Sequence, residues 1–440
     1  MEGNDVLVAV EAAPGHAVSP IEPRRRTLLA RFVSALGPGL ITGAADDDPS
    51  GIATYSAAGA LLGTTQLWIA LVTWPLMAAV QMTCARVAMA TGKGLAGALR
   101  KKLPRSVVMA AAFALFIANT FNIAADLAGM ADAAEMLSGM NSRLFVVVFA
   151  LLISWATVRL GYHQIANVLK WLVLVLFAYP ITAFVVGADW TRVMRDTLVP
   201  SMPHTRDEWS TLVAILGTTI SPYLFFWQAS EEVEEEKAAG QSTLSQRRGA
   251  SVKELELRRI DVGVGTFFSN LVMFFIILTT AITLNRHGIM HIETSRQAAE
   301  ALQPLAGKFA ATLFTVGIVG VGFLAIPTLA GSAAYAFAET LGWRQGLDKK
   351  LKQARAFYTL ILLSTGAGVG LDFLGINPVK ALYWTAIING LLAPFLLLGI
   401  LVVASDKKLM QGQPSSSLGW TVVAITTVAM FAASVAMFVV

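Results

Sequence analysis

Three consecutive carboxylates stand directly before a helix-breaking tripeptide in residues 44–51, which read Ala-Ala-Asp-Asp-Asp-Pro-Ser-Gly. The run interrupts an otherwise apolar stretch at residues 32–62. A charged residue at mid-bilayer costs roughly 2.5–3.5 kcal/mol on insertion scales, and proline leaves backbone carbonyls without a helical partner. Membrane proteins tolerate such a break where it lines a buried, watered cavity. Carboxylates and free carbonyls are the ligands that hard cations prefer, so the run predicts a cation site.

A second interruption lies in a later apolar segment, where residues 217–223 read Gly-Thr-Thr-Ile-Ser-Pro-Tyr. Interrupted helices at corresponding positions of two halves point to the substrate site of a transporter. Each half-helix that ends at a break presents carbonyl oxygens to the gap, and neighbouring side chains can add further oxygens. The predicted helix breaks are Pro49, Ser50, Gly51 and Pro222, and the predicted metal ligands are Asp48, Ser221, Thr218 and Tyr223.

Three neighbouring aspartates cannot all bind one ion, because successive helical residues point about 100° apart. We expect Asp48, nearest the break, to bind, and Asp46 or Asp47 to face the vestibule or to pair with a basic group.

In the third apolar segment, polar residues spaced three or four apart share one helix face. They predict either a water or proton path or interhelical hydrogen bonds. The pathway candidates are Asp126, Asn119, Asp47 and Asn389.

The composition places the chain in a membrane. Of 440 residues, 55% are hydrophobic and only 14% are charged, whereas soluble domains carry about 25% charged residues. The basic residues fall between the apolar segments, so the high pI of about 9.3 predicts membrane topology and no nucleic-acid partner. The single Cys84 excludes an internal disulfide and a cysteine metal cluster. No cofactor is expected, since the cation is a substrate.

Eleven spans are predicted, at residues 32–62, 66–90, 106–136, 144–160, 165–187, 209–238, 260–284, 308–340, 354–372, 378–403 and 418–439. Lys and Arg concentrate in every second connecting segment, which predicts a multi-pass protein of the inner (plasma) membrane with a cytoplasmic N-terminus and an outside C-terminus. The first and sixth spans then run in opposite directions, which predicts an inverted repeat. The expected parts are a disordered cytoplasmic tail (1–30), a five-helix repeat (31–187), an extracytoplasmic loop (188–208), a second repeat (209–403), and a linker with the eleventh helix (404–440).

The two breaks resemble motifs of the Nramp divalent-metal transporters. Residues 48–54, Asp-Pro-Ser-Gly-Ile-Ala-Thr, are similar to the family's first-span motif, Asp-Pro-Gly-Asn followed by an aromatic or aliphatic residue, Ala and Thr. Residues 221–223, Ser-Pro-Tyr, stand where the family has Met-Pro-His. The resemblance implies an all-α integral membrane protein with a LeuT-like inverted 5+5 repeat, broken first and sixth spans, and an eleventh helix. It also implies that Asp48 is the metal-binding aspartate and that Asp126 matches a proton-path aspartate.

The departures from the family pattern change which metal ions the site would prefer. The metal-site asparagine, methionine and glutamine fall on Gly51, Ser221 and Ala386, with Asn389 one turn later as a substitute. Losing the soft thioether removes a preference for iron, manganese or cadmium, and the smaller side chains leave room for water, which Mg²⁺ retains. The pattern therefore resembles the divergent Nramp-related magnesium transporters, which implies loose proton coupling. Mg²⁺ or Mn²⁺ is favoured as substrate, and Fe²⁺ stays open.

Two other classes of function, an organic-solute symporter and an intramembrane enzyme, make different predictions. A sodium- or proton-coupled symporter of an organic solute, such as an amino acid, would share the architecture but would show no dependence on divalent ions. An intramembrane enzyme would need a metal motif or a catalytic dyad on facing helices, and none is present. The chain is therefore expected to be a monomeric, non-enzymatic transporter whose partners are a divalent metal ion and the lipid bilayer. The glutamates at 231–236 are expected to form a solvated helix end or to attract cations at the inner mouth.

Overall fold

The computed structural model describes residues 38–160 and 172–440, and all regular elements within these ranges are helices. The predicted tail at residues 1–30 and the start of the fifth predicted span lie outside the described residues. The helices before residue 200 are α1 (Pro38–Asp46), α2 (Pro49–Leu62), α3 (Trp68–Thr91), α4 (Leu95–Leu99), α5 (Arg105–Ser138), α6 (Ser142–Arg159), α7 (Ala178–Val186) and α8 (Trp190–Leu198).

The second half begins with another pair of short helices that are separated by a break. Its helices are α9 (Arg206–Thr219), α10 (Pro222–Ala238), α11 (Val252–Thr283), α12 (Ser295–Glu300), α13 (Gln303–Ala306), α14 (Ala310–Leu341), α15 (Arg355–Asp372), α16 (Pro378–Ala404) and α17 (Ser417–Val439). Short 3₁₀ segments lie at Gly63–Gln66, Leu172–Phe177, Asn285–His287 and Gly307–Phe309.

Eight helices in the described ranges are long and apolar enough to cross a membrane, with α9 and α10 counted as one bent span. The remaining predicted spans correspond to shorter pieces. The first span is divided into α1 and α2, of 9 and 14 residues. The described part of the fifth span is the apolar segment Val175–Val186. Helix α15 coincides with the predicted ninth span, and charged residues stand at both of its ends.

Glycines allow the broken helices to pack closely against their neighbours. Gly43 of α1 lies against the backbone of Gly265, and Gly59 of α2 lies against the backbone of Ile277, so that both halves of the first span pack on α11. Gly217 of α9 touches the backbone of α16 in the same way. A methyl group at any of these positions would overlap the facing helix. Small residues at such crossings are the usual means by which membrane helices approach closely.

Two connecting segments are more ordered than the sequence predicts. The extracytoplasmic loop predicted at 188–208 contains α8, whose first turn is capped because the Asp189 carboxylate accepts hydrogen bonds from the backbone of Thr191 and Arg192. Helix α11 begins at Val252, well before the predicted start of its span, because Ser251 and Glu254 form a reciprocal capping box. Both starts follow from N-cap chemistry, which satisfies backbone donors that a helix leaves free.

Candidate metal-binding site between the two helix breaks

Asp48 forms the first break by capping the helix that follows it. Helix α1 ends at Asp46 and α2 begins at Pro49, which has no N–H to lose. The backbone of Asp48 is extended, and its Oδ1 accepts hydrogen bonds from the Gly51 N–H at 2.7 Å and from the Ser50 hydroxyl at 2.8 Å. The side chain is 1% exposed. A carboxylate is thus fixed at the gap by the first turn of α2.

The other oxygen of Asp48 faces residues from two further helices. Asn122 of α5 donates its Nδ2 to Asp48 Oδ2 at 3.1 Å. The hydroxyl of Tyr223, on α10, lies 3.5 Å from Oδ2 and donates to the Ala45 carbonyl at 3.0 Å. The structure therefore brings together Asp48 and Tyr223, one from each break. The sequence signal for Asn122 is its spacing of four residues from Asp126, which places both residues on one helix face.

The second break places Ser221 differently from the prediction. Helix α9 ends at Thr219 and α10 begins at Pro222. The Ser221 hydroxyl lies 2.7 Å from both the Gly217 carbonyl and the Thr218 carbonyl, so it serves as donor to the end of α9. We had expected these carbonyls to be free. The Thr218 hydroxyl oxygen, in contrast, is buried without a hydrogen-bond partner.

Oxygens from the two breaks surround the space left by Gly51. A methyl group in place of its hydrogen would lie 3.1 Å from the Thr218 hydroxyl oxygen, 3.3 Å from the Asp46 carbonyl oxygen and 3.4 Å from Asp48 Oδ1. These atoms comprise one charged oxygen, one carbonyl and one hydroxyl. They form a hard, net negative cradle at the meeting point of the broken spans.

The other two aspartates of the triplet face α11. The Ser269 hydroxyl donates to Asp46 Oδ2 at 2.6 Å and lies 3.4 Å from Asp47 Oδ1. Both aspartates are buried, with exposures of 0% and 2%, and neither forms an ion pair with a described residue. Within the described ranges both aspartates lie against Ser269, and the expected basic partner is not among these residues.

The predicted pathway residues separate into two groups. Asp126 is fully buried on α5 and lies beside the backbone N–H of Ser50, yet neither of its oxygens makes a hydrogen bond of good geometry. Asn389 of α16 is also buried, and its Oδ1 has no hydrogen-bond partner. Asn119 instead donates to the Leu329 carbonyl at 2.7 Å and to Ser332 at 2.9 Å, which ties α5 to α14. Its amide nitrogen thus links two helices, while its Oδ1 is buried without a hydrogen-bond partner, as is that of Asn389.

Within the described ranges, no group of three or more His, Cys, Asp or Glu side chains is arranged to hold a metal ion. The three aspartates do not converge, since Asp46 and Asp47 are directed to Ser269. An ion at the cradle would therefore have one carboxylate and several neutral oxygens as ligands. Such a set suits reversible binding of a partly hydrated ion rather than a permanent structural metal.

The two sides of the site are closed unequally. On one side, a cavity of about 310 Å³ lies between α2, α9 and α16, lined in part by Ala57, Thr211 and Tyr383. Its rim carries both acidic and basic groups, including Asp207 and Lys380. This cavity lies beside the second half of the broken first span, and the oxygens of the cradle are not part of its lining.

On the other side, a buried ion-pair network ties the broken helices together. Arg258 of α11 pairs with Glu232 at 2.8 Å, with Asp261 at 2.6 Å and with Glu235. Asp261 also accepts a hydrogen bond from the Gly39 N–H of α1 at 2.8 Å. The expectation of a solvated acidic helix end is wrong for Glu231, Glu232 and Glu234, which are 3%, 2% and 8% exposed.

Two interrupted helices that meet around buried oxygens, in an all-helical chain with many apolar spans, define a membrane transporter of LeuT-like fold. The family model described as Nramp, natural resistance-associated macrophage protein-like, matches residues 39–440. The chain therefore belongs to the Nramp family, as its motifs predicted.

Relatives and solved structures agree with this assignment. The divalent metal cation transporter MntH of Caldanaerobacter subterraneus is 26% identical over 402 residues, 87% of each chain. That of Yersinia enterocolitica is 28% identical over 307 residues, 68% of this chain and 71% of the relative. Because these relatives are named for transport, the prediction of a non-enzymatic protein is confirmed.

The fold is shared with two kinds of solved transporter. The structure of the Eremococcus coleocola manganese transporter superposes with a TM-score of 0.68 at 18% identity, covering 97% of this chain and 89% of that one. Mhp1, a nucleobase-cation-symport-1 family transporter in a closed conformation, gives a TM-score of 0.55 at 15% identity, covering 92% and 91%. The predicted all-α, LeuT-like fold is confirmed.

Proposed function

We propose that this protein carries a divalent metal cation across the membrane by alternating access, with the ion bound between the two helix breaks. The observation that carries the proposal is the cradle at Gly51, where the Asp48 carboxylate, the Asp46 carbonyl and the Thr218 hydroxyl converge. Their oxygens come from both interrupted spans. Binding of one ion would therefore couple the positions of the two broken helices, as alternating access requires.

The ligand set favours a hard ion that keeps part of its water. Asp48 supplies the charge, and Thr218, Tyr223 and Ser221 supply neutral oxygens directly or through water. No thioether is present at position 221, and glycine at position 51 leaves space. Mg²⁺ dehydrates reluctantly and is usually held by one or two carboxylates. We propose Mg²⁺ or Mn²⁺ as the preferred substrate and Fe²⁺ as a weaker one. The names of the relatives support a divalent metal in general, and the E. coleocola structure is named for manganese.

The difference between the two sides of the site supplies the conformational step. The Arg258 network fastens α1 to α10 and α11 on one side, while a cavity lies between α2, α9 and α16 on the other. Release of the ion to the opposite side would require α1 to separate from Asp261. The hydrogen bond from the Gly39 N–H to the buried Asp261 carboxylate resists such separation, because a hydrogen bond to a charged group contributes about 1.5–3 kcal/mol.

We also propose an orientation in the plasma membrane. The Lys- and Arg-rich connections, at residues 93–105, 237–259 and 344–355, lie on the side predicted to be cytoplasmic. On this assignment the Arg258 network closes the cytoplasmic side, and the cavity near Tyr383 opens outside. The protomer encloses the proposed site by itself, which is consistent with a monomer.

The test is metal competition in proteoliposomes, with Mg²⁺, Mn²⁺, Fe²⁺ and Ca²⁺ supplied outside and a pH-sensitive dye inside. We expect saturable uptake of Mg²⁺ or Mn²⁺, with little change of internal pH because Tyr223 stands where the resembled family has a histidine. Uptake of an amino acid with no effect of divalent ions would overturn the proposal in favour of an organic-solute symporter.

A further inference from the structure

A second cavity, of about 440 Å³, lies at the opposite end of the molecule from the cavity between α2, α9 and α16. Its walls are the turn between α3 and α4, the end of α10, the connection that follows α10, and the end of α14. Five basic side chains line it: Lys93, Arg100, Lys101, Lys237 and Arg247. This concentration of positive charge is unrelated to the path of a metal cation, which it would repel.

The positive charge of this cavity is only partly compensated, since Glu339 lies near Lys93 and Glu236 lies near Arg247. Glu339 is its one acidic lining residue, and its carboxylate already accepts hydrogen bonds from the Gly97 N–H at 2.8 Å and from Gln345 at 3.1 Å. Lys237 pairs with Glu234 at 2.7 Å. The other four basic groups form no ion pair with any residue in the described ranges. Burial and the like charges of Lys101 and Arg248 lower the pKa of the Lys93 ammonium.

Arg247, at the wall of this cavity, is oriented by the backbone of its own connection. One end of its guanidinium donates to the carbonyls of Gln241 at 2.9 Å and Ser242 at 2.8 Å. Its Nε is buried and has no hydrogen-bond partner. A buried donor without an acceptor costs about 1–3 kcal/mol. Because this atom has almost no accessible surface, an anion in the cavity would be attracted by the charge of Arg247 rather than bound through Nε.

The backbone just after Arg247 is held by hydrogen bonds to two other parts of the chain. The Gly249 N–H donates to the Ala90 carbonyl of α3 at 3.2 Å. Gln413, in the connection before α17, exchanges two hydrogen bonds with the Ala250 backbone, at 2.6 and 3.1 Å. The guanidinium is therefore positioned before any ligand arrives, and pre-organisation of this kind lowers the entropic cost of binding.

We propose that this cavity is a binding site for a phosphate group. Arginine and lysine are the side chains that bind phosphate, through paired N–H donors and point charge respectively. The cavity lies where α3 and α14 end, at Thr91 and Leu341, which is the level of phospholipid headgroups if these helices span the bilayer. The phosphate can come from an acidic phospholipid or from a soluble phosphate compound, and the chemistry of recognition is the same.

The experiment measures binding without transport, so its outcome is independent of the proposed function. Native mass spectrometry would compare retention of phosphatidylglycerol with that of phosphatidylcholine, and calorimetry would titrate inorganic phosphate and pyrophosphate. The test variant is Lys101→Gln with Arg247→Gln. The matched control is Lys349→Gln with Lys350→Gln, which makes the same change of charge at exposed positions outside the cavity.

We expect the wild type and the control to bind, and the test variant to bind about thirtyfold more weakly, from about fivefold for each cation removed. Preferential retention of phosphatidylglycerol assigns the site to lipid, and binding of free phosphate alone assigns it to a soluble ligand. Either result supports the phosphate site. The proposal is overturned if neither ligand binds the wild type, or if the test and control variants lose affinity equally, because the attraction would then be a general property of the basic face.

Discussion

Replacement of Asp48 by asparagine separates its two roles, as a helix cap and as the charged ligand of a metal ion. Asparagine ranks with aspartate as an N-cap, so its carbonyl oxygen can still accept from the Gly51 N–H, as Oδ1 does now at 2.7 Å. Asn122 can turn its amide so that its own oxygen, which has no partner now, accepts from the new NH₂ group. The fold should therefore survive, with a loss of less than about 1 kcal/mol of stability.

The loss of metal affinity should be much larger. Removal of a residue that only supports a ligand typically costs 10–100-fold in metal affinity. Asp48 is the one carboxylate at the cradle, so its loss should exceed the upper end of this range. We expect the Kd for Mn²⁺ or Mg²⁺ to rise more than about 100-fold, equivalent to about 2.7 kcal/mol.

Calorimetry in detergent would measure the Kd, and proteoliposome flux would measure transport. Asp132→Asn is the matched control, since it makes the same change on α5 at a half-buried aspartate bonded to the Ser295 backbone. A melting temperature close to that of the wild type would show that Asp48→Asn is folded. Affinity and flux equal to those of the wild type in that folded variant would refute the site.

Four further outcomes are expected. Ser221→Met should raise the affinity for Cd²⁺ or Mn²⁺ relative to Mg²⁺ in competition assays, because it adds a soft thioether; an unchanged ratio would mean that position 221 does not face the ion. Asn122→Ala should weaken metal binding 10–100-fold with little effect on the circular dichroism spectrum, and wild-type affinity would remove Asn122 from the site. Arg258→Gln should lower the melting temperature, since breaking buried pairs costs about 3–5 kcal/mol, and should speed hydrogen exchange in α1; unchanged exchange there would exclude the network as a closure. Gly217→Ala should destabilise the protein by about 1–3 kcal/mol in thermal melts, whereas Gly263→Ala, with open space around it, should not, and equal melting temperatures would contradict the close packing of α9 on α16.

Much of the fold could be predicted because the bilayer imposes simple rules. Apolar length predicted the spans, and the predicted third span at 106–136 differs by only one or two residues from α5, Arg105–Ser138. The errors fell in connecting segments, where short capping motifs rather than hydropathy decide the structure. Asp189 starts a helix inside a predicted loop, and Ser251 starts α11 early.

The candidate site was predictable in its residue types but not in its contacts. Proline, glycine and three carboxylates in an apolar segment predict a break wherever the chain lies, since lipid supplies no partner for free carbonyls. Which aspartate occupies the gap depends on neighbours distant in sequence. Ser269 holds Asp46, while Asn122 and Tyr223 face Asp48.

The amino-acid sequence by itself determined that this is a helical membrane protein with two interrupted spans, because hydropathy and backbone chemistry act locally along the chain. The tertiary structure alone decided that Glu232 of α10 is buried against Arg258, and that Ser221 donates to the end of α9. The physical reason is that a buried polar group takes whichever partner the packed helices bring within hydrogen-bonding distance, and that partner is set by the crossing of helices rather than by sequence spacing.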